Sequence, residues 1–187
     1  MENKPLALAA GFVAMLLVGA SYFFPKKNQY LFFQASGIVF LILSYLFDEE
    51  YFAMIGLGVA LARTITYFAL ENKDVDTPVW LGLLFSLLTI AAYVVVNLCI
   101  LKTAKPIDII CLLSLVGFAM ILCIRDLEKV RLLVLIPIAL SILYNALSGA
   151  AAFITISYSF EFMMSVLAIF KYQIIDKKQT ENDHEKH

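Results

Sequence analysis

Two charged residues stand where charge is expensive. Arg63 lies within GLGVALARTITYFAL (Gly56–Leu70) and Glu161 within ITISYSFEFMMSV (Ile154–Val166), both otherwise apolar stretches. A charge near the centre of a bilayer costs about 2.5–3.5 kcal/mol on insertion scales, so each needs a reason. The polar residues around them fall at helical spacing. Ser157, Glu161 and Ser165 follow i, i+4, i+8; Ser141, Tyr144, Asn145 and Ser148 follow i, i+3, i+4, i+7; Gly56, Ala60, Arg63 and Tyr67 share a third face. Together with Gln34, Ser44 and Tyr45, these stripes could line a polar cavity that holds a small solute by hydrogen bonds and charge. The competing account is that serine and asparagine only tie helices together, at about 0.6 kcal/mol per hydrogen bond. For Gly56 and Ala60 close helix packing is the expected role.

Arg63 and Glu161 themselves admit two explanations. At about 1.5 Å per residue both lie some 15–18 Å below the start of their segments, at matching positions, so a charge-assisted contact between them is allowed by depth. Alternatively Arg63 snorkels to lipid headgroups while Glu161 holds a proton.

Other chemistry has little to work with. Both histidines, His184 and His187, sit in the polar C-terminal tail, and Cys99, Cys111 and Cys123 have no metal-ligand spacing. Glu161 has no histidine, cysteine or second carboxylate at depth, so no enzyme, cofactor or metal is expected. The formal net charge of −1 gives no reason to expect a nucleic-acid partner.

The elements that must position these residues are set by composition. Hydrophobic residues make up 62% of the 187 and charged residues only 16%, more apolar surface than a soluble domain of this size could bury. Membrane lipid is therefore the solvent, and helices satisfy the backbone within it. Five apolar runs end in short charged segments: Leu6–Phe24, Tyr30–Phe47, Tyr51–Leu70, Val79–Leu101 and Ile109–Ile124. The first is long for a signal peptide and follows only Lys4, so it is expected to remain as a span. From Leu132 to Phe170 a single charge, Glu161, interrupts a run nearly twice the length needed to cross. It must turn back, at Ser148–Ala150, giving a sixth span near 132–147 and a seventh near 151–170. Pro137 should kink the sixth by removing a backbone bond to Leu133. Tyr22, Tyr30 and Tyr51, near span ends, read as interface anchors, and the acidic turn Asp48–Glu50 as a solvated hairpin end.

Seven spans sort the basic residues. With Arg63 set aside, Lys4, Lys102 and Lys105 fall on the N-terminal side and the other ten on the opposite side. The positive-inside rule then puts the N-terminus outside and the C-terminus in the cytoplasm.

ILSYLF (Ile42–Phe47) and ILYNAL (Ile142–Leu147) each close the middle helix of a three-helix block, and each leads by a short turn into a helix with one central charge. The plan is all-α, 3+1+3: a first repeat over 1–70, a linker helix and its loops over 71–108, a second repeat over 109–171, and a short charged tail over 172–187. Repeats separated by an odd helix keep the same membrane orientation. This architecture resembles the SWEET and PQ-loop transporter superfamily, with its PnuC-type members. More closely, Lys26–Lys27, QASG at Gln34–Gly37, Tyr45, ALART at Ala60–Thr64 and ILYNALSGA at Ile142–Ala150 resemble the YgjV-type family of bacterial inner-membrane proteins. Tyr45 stands where that family often has histidine, and Ala60 where it often has asparagine. The proline hinges of sugar transporters are missing from the first, second and fifth spans. The resemblance implies a SWEET-like fold in the bacterial cytoplasmic membrane and names no substrate. Two function classes follow: a carrier of a small polar solute that rocks one repeat against the other, or a non-transporting module that binds a partner protein or lipid. A homo-oligomer is compatible with either.

Overall fold

The computed structural model describes residues 4–47, 51–95, 105–148 and 152–175. The acidic turn Asp48–Glu50, Gly149–Ala150, Cys99, Lys102 and both histidines lie outside the described residues. The described chain is helical: α1 (Lys4–Ser21), α2 (Lys27–Phe47), α3 (Tyr51–Asn72), α4 (Val79–Tyr93), α5 (Asp108–Ile121), α6 (Leu127–Leu133), α7 (Leu135–Ser148) and α8 (Ala152–Ile169), which loosens into a wider π turn over Phe170–Ile175. α6 and α7 are one span divided at Val134. The Val134 amide still donates to the Val130 carbonyl at 2.9 Å and the Ile138 amide to Val134 at 3.1 Å, so the interruption is local to the bond that Pro137 cannot make. Counted so, there are seven helices among the described residues. Four of these segments are long and apolar enough to cross a membrane: Lys4–Ser21, Lys27–Phe47, Leu127–Ser148 and Ile154–Tyr172.

The sixth span begins five residues before its expected start. Glu128, Lys129 and Arg131 read as loop because they are charged, yet the Asp126 side chain accepts from the Glu128 and Lys129 amides and starts the helix ahead of them. Partial burial pushes the Asp126 carboxyl up, but those two amides and Lys129 outweigh it and leave the group below its ordinary range.

Packing follows chain order and then closes. α1 packs on α2, α2 on α3, α3 on α4, α4 on α5, α5 on α7 and α7 on α8, and α8 returns to α1. Small residues set the closest approaches. A Cβ at Gly37 of α2 would lie 2.5 Å from Val18 Cγ2 and 3.2 Å from the Ala14 carbonyl of α1; one at Gly19 of α1 would lie 2.5 Å from the Phe160 ring of α8. Gly56 is different. Among the described residues nothing lies within 4 Å of a Cβ built there, so it does not serve the close packing expected of it. Large apolar side chains remain exposed along the helices, among them Leu8 and Phe12 of α1 and Trp80, Leu83 and Leu87 of α4, as a lipid-facing surface requires.

One regularity ties the two ends of the chain together. α1 ends at Ser21 and α5 at Ile121; α2 begins at Lys27 and α6 at Leu127. Burial recurs with the same spacing at Tyr22 and Leu122, Lys27 and Leu127, Tyr30 and Val130, Leu31 and Arg131, and Ile38 and Ile138. In the last helix of each set the register slips by one residue, pairing buried Thr64 with Ser165 and Tyr67 with Ala168. In that register Glu161 matches Ala60, and Arg63 matches Met164. The two charges are one helical turn out of step rather than at matching positions.

Replacing Gly37 by leucine should therefore force α1 from α2 and cost about 1–3 kcal/mol. Gly56→Ala should be neutral or stabilising, because it removes a helix-interior glycine and meets open space. Thermal unfolding of the detergent-solubilised chain checks both; a Gly37→Leu midpoint equal to wild type would show that the α1–α2 contact is looser than described.

Candidate functional site

Tyr22 follows the last residue of α1, and its hydroxyl donates to Glu161 Oε1 of α8 at 2.7 Å. Gly19, one turn earlier, has no side chain to hold α8 off, which brings Glu161 within reach. Tyr22 is fully buried, and the Glu161 carboxyl that it meets lies inside the packing of α1, α2 and α8. Tyr30 of α2 meets Tyr22 edge to face with ring centroids 5.4 Å apart. Gln34, one turn on, donates to Ser21 Oγ at 3.0 Å and to the Tyr30 hydroxyl at 3.5 Å, and its side chain also hydrogen-bonds Glu161. Tyr22 and Tyr30 are thus interior, not interface anchors. Their hydroxyls are drawn inward because a carboxylate in low dielectric is costly without donors.

Arg63 of α3 is 8% exposed and its Nε is buried without a hydrogen-bond partner. The groups that bear on it electrostatically are Tyr67, Tyr30 and Cys123, which places it in the protein interior and not snorkelling to headgroups. Among the described residues no ion pair joins Arg63 to Glu161. Tyr30 is the group they share: its hydroxyl is within electrostatic reach of Glu161, Arg63 and Arg131. The expected direct contact is not made.

Three further residues of this cluster escaped sequence reading. Lys27 is buried and pairs with Glu71 at 3.4 Å, tying α2 to α3. Arg131 is 2% exposed, donates to the Phe24 carbonyl and lies over the Tyr172 ring at 4.3 Å. Tyr172 in turn donates to the Phe23 carbonyl. These contacts satisfy carbonyls of the turn that follows α1. The available signal was spacing: Lys27, Tyr30 and Gln34 lie on one face of α2 at i, i+3, i+7.

The other predicted residues sit apart from this centre. Ser44 donates to the Ala7 carbonyl at 2.7 Å and ties α2 to α1. Asn145 is buried and donates to the Ser141 carbonyl of its own helix at 2.8 Å, while Ser141 shares a 2.7 Å bond with Ser114 of α5. Tyr144 turns to Asp108, whose carboxylate also accepts from the Tyr93 hydroxyl at 2.6 Å and the Lys105 amide at 2.7 Å. Tyr158 of α8 lies between the two groups: it hydrogen-bonds Ser141 and feels Glu161 and Tyr45. Ser157 is half-buried one turn before Glu161. The structure therefore gathers Glu161, Gln34 and Arg63 about Tyr30, brings Tyr45 near through Tyr158, places Tyr144 and Ser44 in helix-to-helix contacts, and turns Asn145 back on its own helix.

No match was found among curated proteins or among solved structures. A family model described as a bacterial inner membrane protein, Imp-YgjV, matches residues 6–174, which span all the helices above. The chain belongs to the Imp-YgjV family of bacterial inner membrane proteins.

Proposed function

We propose that the chain carries a small polar solute across the bacterial cytoplasmic membrane, with its N-terminus outside and its C-terminus in the cytoplasm. In this reading α1–α3 and α5–α8 are parallel three-helix repeats, SWEET-like in plan and joined by α4, that rock about a centre between them. The recurrence of helix bounds and burial between Ser21–Lys27 and Ile121–Leu127 supports the repeat. The observation that carries the function is the composition of the centre. Glu161 comes from the second repeat, while the groups that hold it, Tyr22 and Gln34, and the cation beyond them, Arg63, come from the first. Rocking would open and close this contact, and a solute able to replace the Tyr22 or Gln34 hydrogen bonds would gain affinity from doing so. No covalent step is assigned to the site.

A second reading, a non-transporting module for a partner protein or lipid, is favoured by Ser44 and Ser114, whose hydroxyls donate to carbonyls of neighbouring helices as packing contacts.

Proteoliposome swelling in isosmotic glycine, sodium lactate or glucose separates the two. At least one solute should enter faster than into protein-free vesicles, and Glu161→Gln should slow that entry tenfold or more without lowering the unfolding midpoint comparably. Equal swelling with and without protein in all three would favour the module. Orientation is checked by cysteine labelling in a background free of native cysteines: a cysteine inserted after Lys178 should be shielded from impermeant reagent in intact cells, and Glu49→Cys should be labelled. The opposite pattern overturns the topology.

A further inference from the structure

We propose that Arg63 is the anion subsite of this centre and that it receives the carboxylate of a small solute. The inference rests on the carrier reading above and names the substrate class.

A buried guanidinium is normally matched by a carboxylate, because an uncompensated charge in low dielectric is costly. Here the match is absent. Arg63 is more than nine-tenths buried, makes no hydrogen bond or ion pair among the described residues, and leaves Nε without an acceptor. The carboxylates close to this cluster have other partners: Glu161 accepts from Tyr22, and Glu71 pairs with Lys27. The groups around Arg63 are neutral, with Tyr67 donating its own proton to the Ala119 carbonyl at 3.2 Å and the Cys123 thiol turned toward the Tyr67 oxygen at 3.4 Å. None of them supplies an anionic oxygen to the guanidinium edge.

Arg131, the other buried arginine, also leaves Nε without an acceptor, but it donates to the Phe24 carbonyl and lies over the Tyr172 ring, and Lys27 is held by Glu71. Arg63 has no such bond, and a free Nε–Nη edge fits the two oxygens of a carboxylate.

The test is thermal unfolding of the purified full chain in detergent, titrated with sodium formate or sodium acetate against sodium chloride at matched ionic strength. The expected result is a saturable rise in midpoint with the carboxylates that chloride does not reproduce. Arg63→Lys keeps the charge but loses the fork, and should weaken the response about ten- to hundredfold; Arg63→Gln should abolish it. Should Arg63→Gln fail to fold, the wild-type comparison and Arg63→Lys decide alone. An equal response to chloride, an unchanged response in Arg63→Lys, or a response only to added phosphatidylglycerol overturns the proposal, the last by making the source of the anion a lipid. Carboxylate binding without solute entry in the swelling assay sinks the carrier reading and leaves the anion site standing. Solute entry without carboxylate binding sinks the anion site alone.

Discussion

A carboxylate held inside a helix bundle in lipid is the constraint around which this fold is arranged. Glu161 cannot be solvated by hydrocarbon, so hydroxyl and amide donors must come to it, and those donors come from α1 and α2. That demand fixes several features at once. Gly19 must be small for α8 to approach α1, and Gly37 small for α1 to approach α2. Tyr22 must lie at the very end of α1, where its ring can turn inward past the last helical residue. The closure of the ring of helices, α8 against α1, is the same contact seen from outside.

The cationic groups at that end of the bundle follow a second rule. The last carbonyls of α1 accept from the Ser21 hydroxyl and the Phe23 and Phe24 amides, and Arg131 and Tyr172 supply donors to the Phe24 and Phe23 carbonyls of the turn that follows. Both donors belong to the second half of the chain. That turn is therefore completed by the second half, which links the geometry around Glu161 to the position of α6 and the turn after α8. Lys27 and Glu71 add a contact inside the first half, at the start of α2 and the end of α3. The charges read from sequence as loop markers are in part structural.

Much of the fold was legible because length and hydropathy are coarse and additive. Apolar runs separated by charged closers located the seven helices, and the long run after Leu132 had to turn back on itself. Arg63 and Glu161 were legible because intramembrane charge is rare. Their relation was not. Whether two charges on separate helices meet depends on register and rotation, and the burial pattern sets Arg63 one turn out of step with Glu161. Tyr22 and Tyr30 were misread because an aromatic near a span end has two good environments, the headgroup belt and an interior donor site, and only the partner decides. Lys27 and Arg131 hid for a similar reason: at a helix end a long cationic side chain can point either to water or back across the bundle. Gly56 shows the converse, since a glycine in a span suggests a close neighbour and here has none among the described residues.

The separation of Arg63 from Glu161 also bears on how such a centre could work. A direct, desolvated pair would satisfy both charges at once, and removing either partner would then cost several kcal/mol, on the order of 3–5. Under the carrier reading proposed above, a pair of that strength would resist the opening that transport requires. Glu161 is held instead by neutral donors, the Tyr22 hydroxyl among them, and a hydrogen bond of that kind contributes about 1 kcal/mol. The bundle thus supplies Glu161 with donors of its own and leaves Arg63 without a carboxylate of the chain among the described residues.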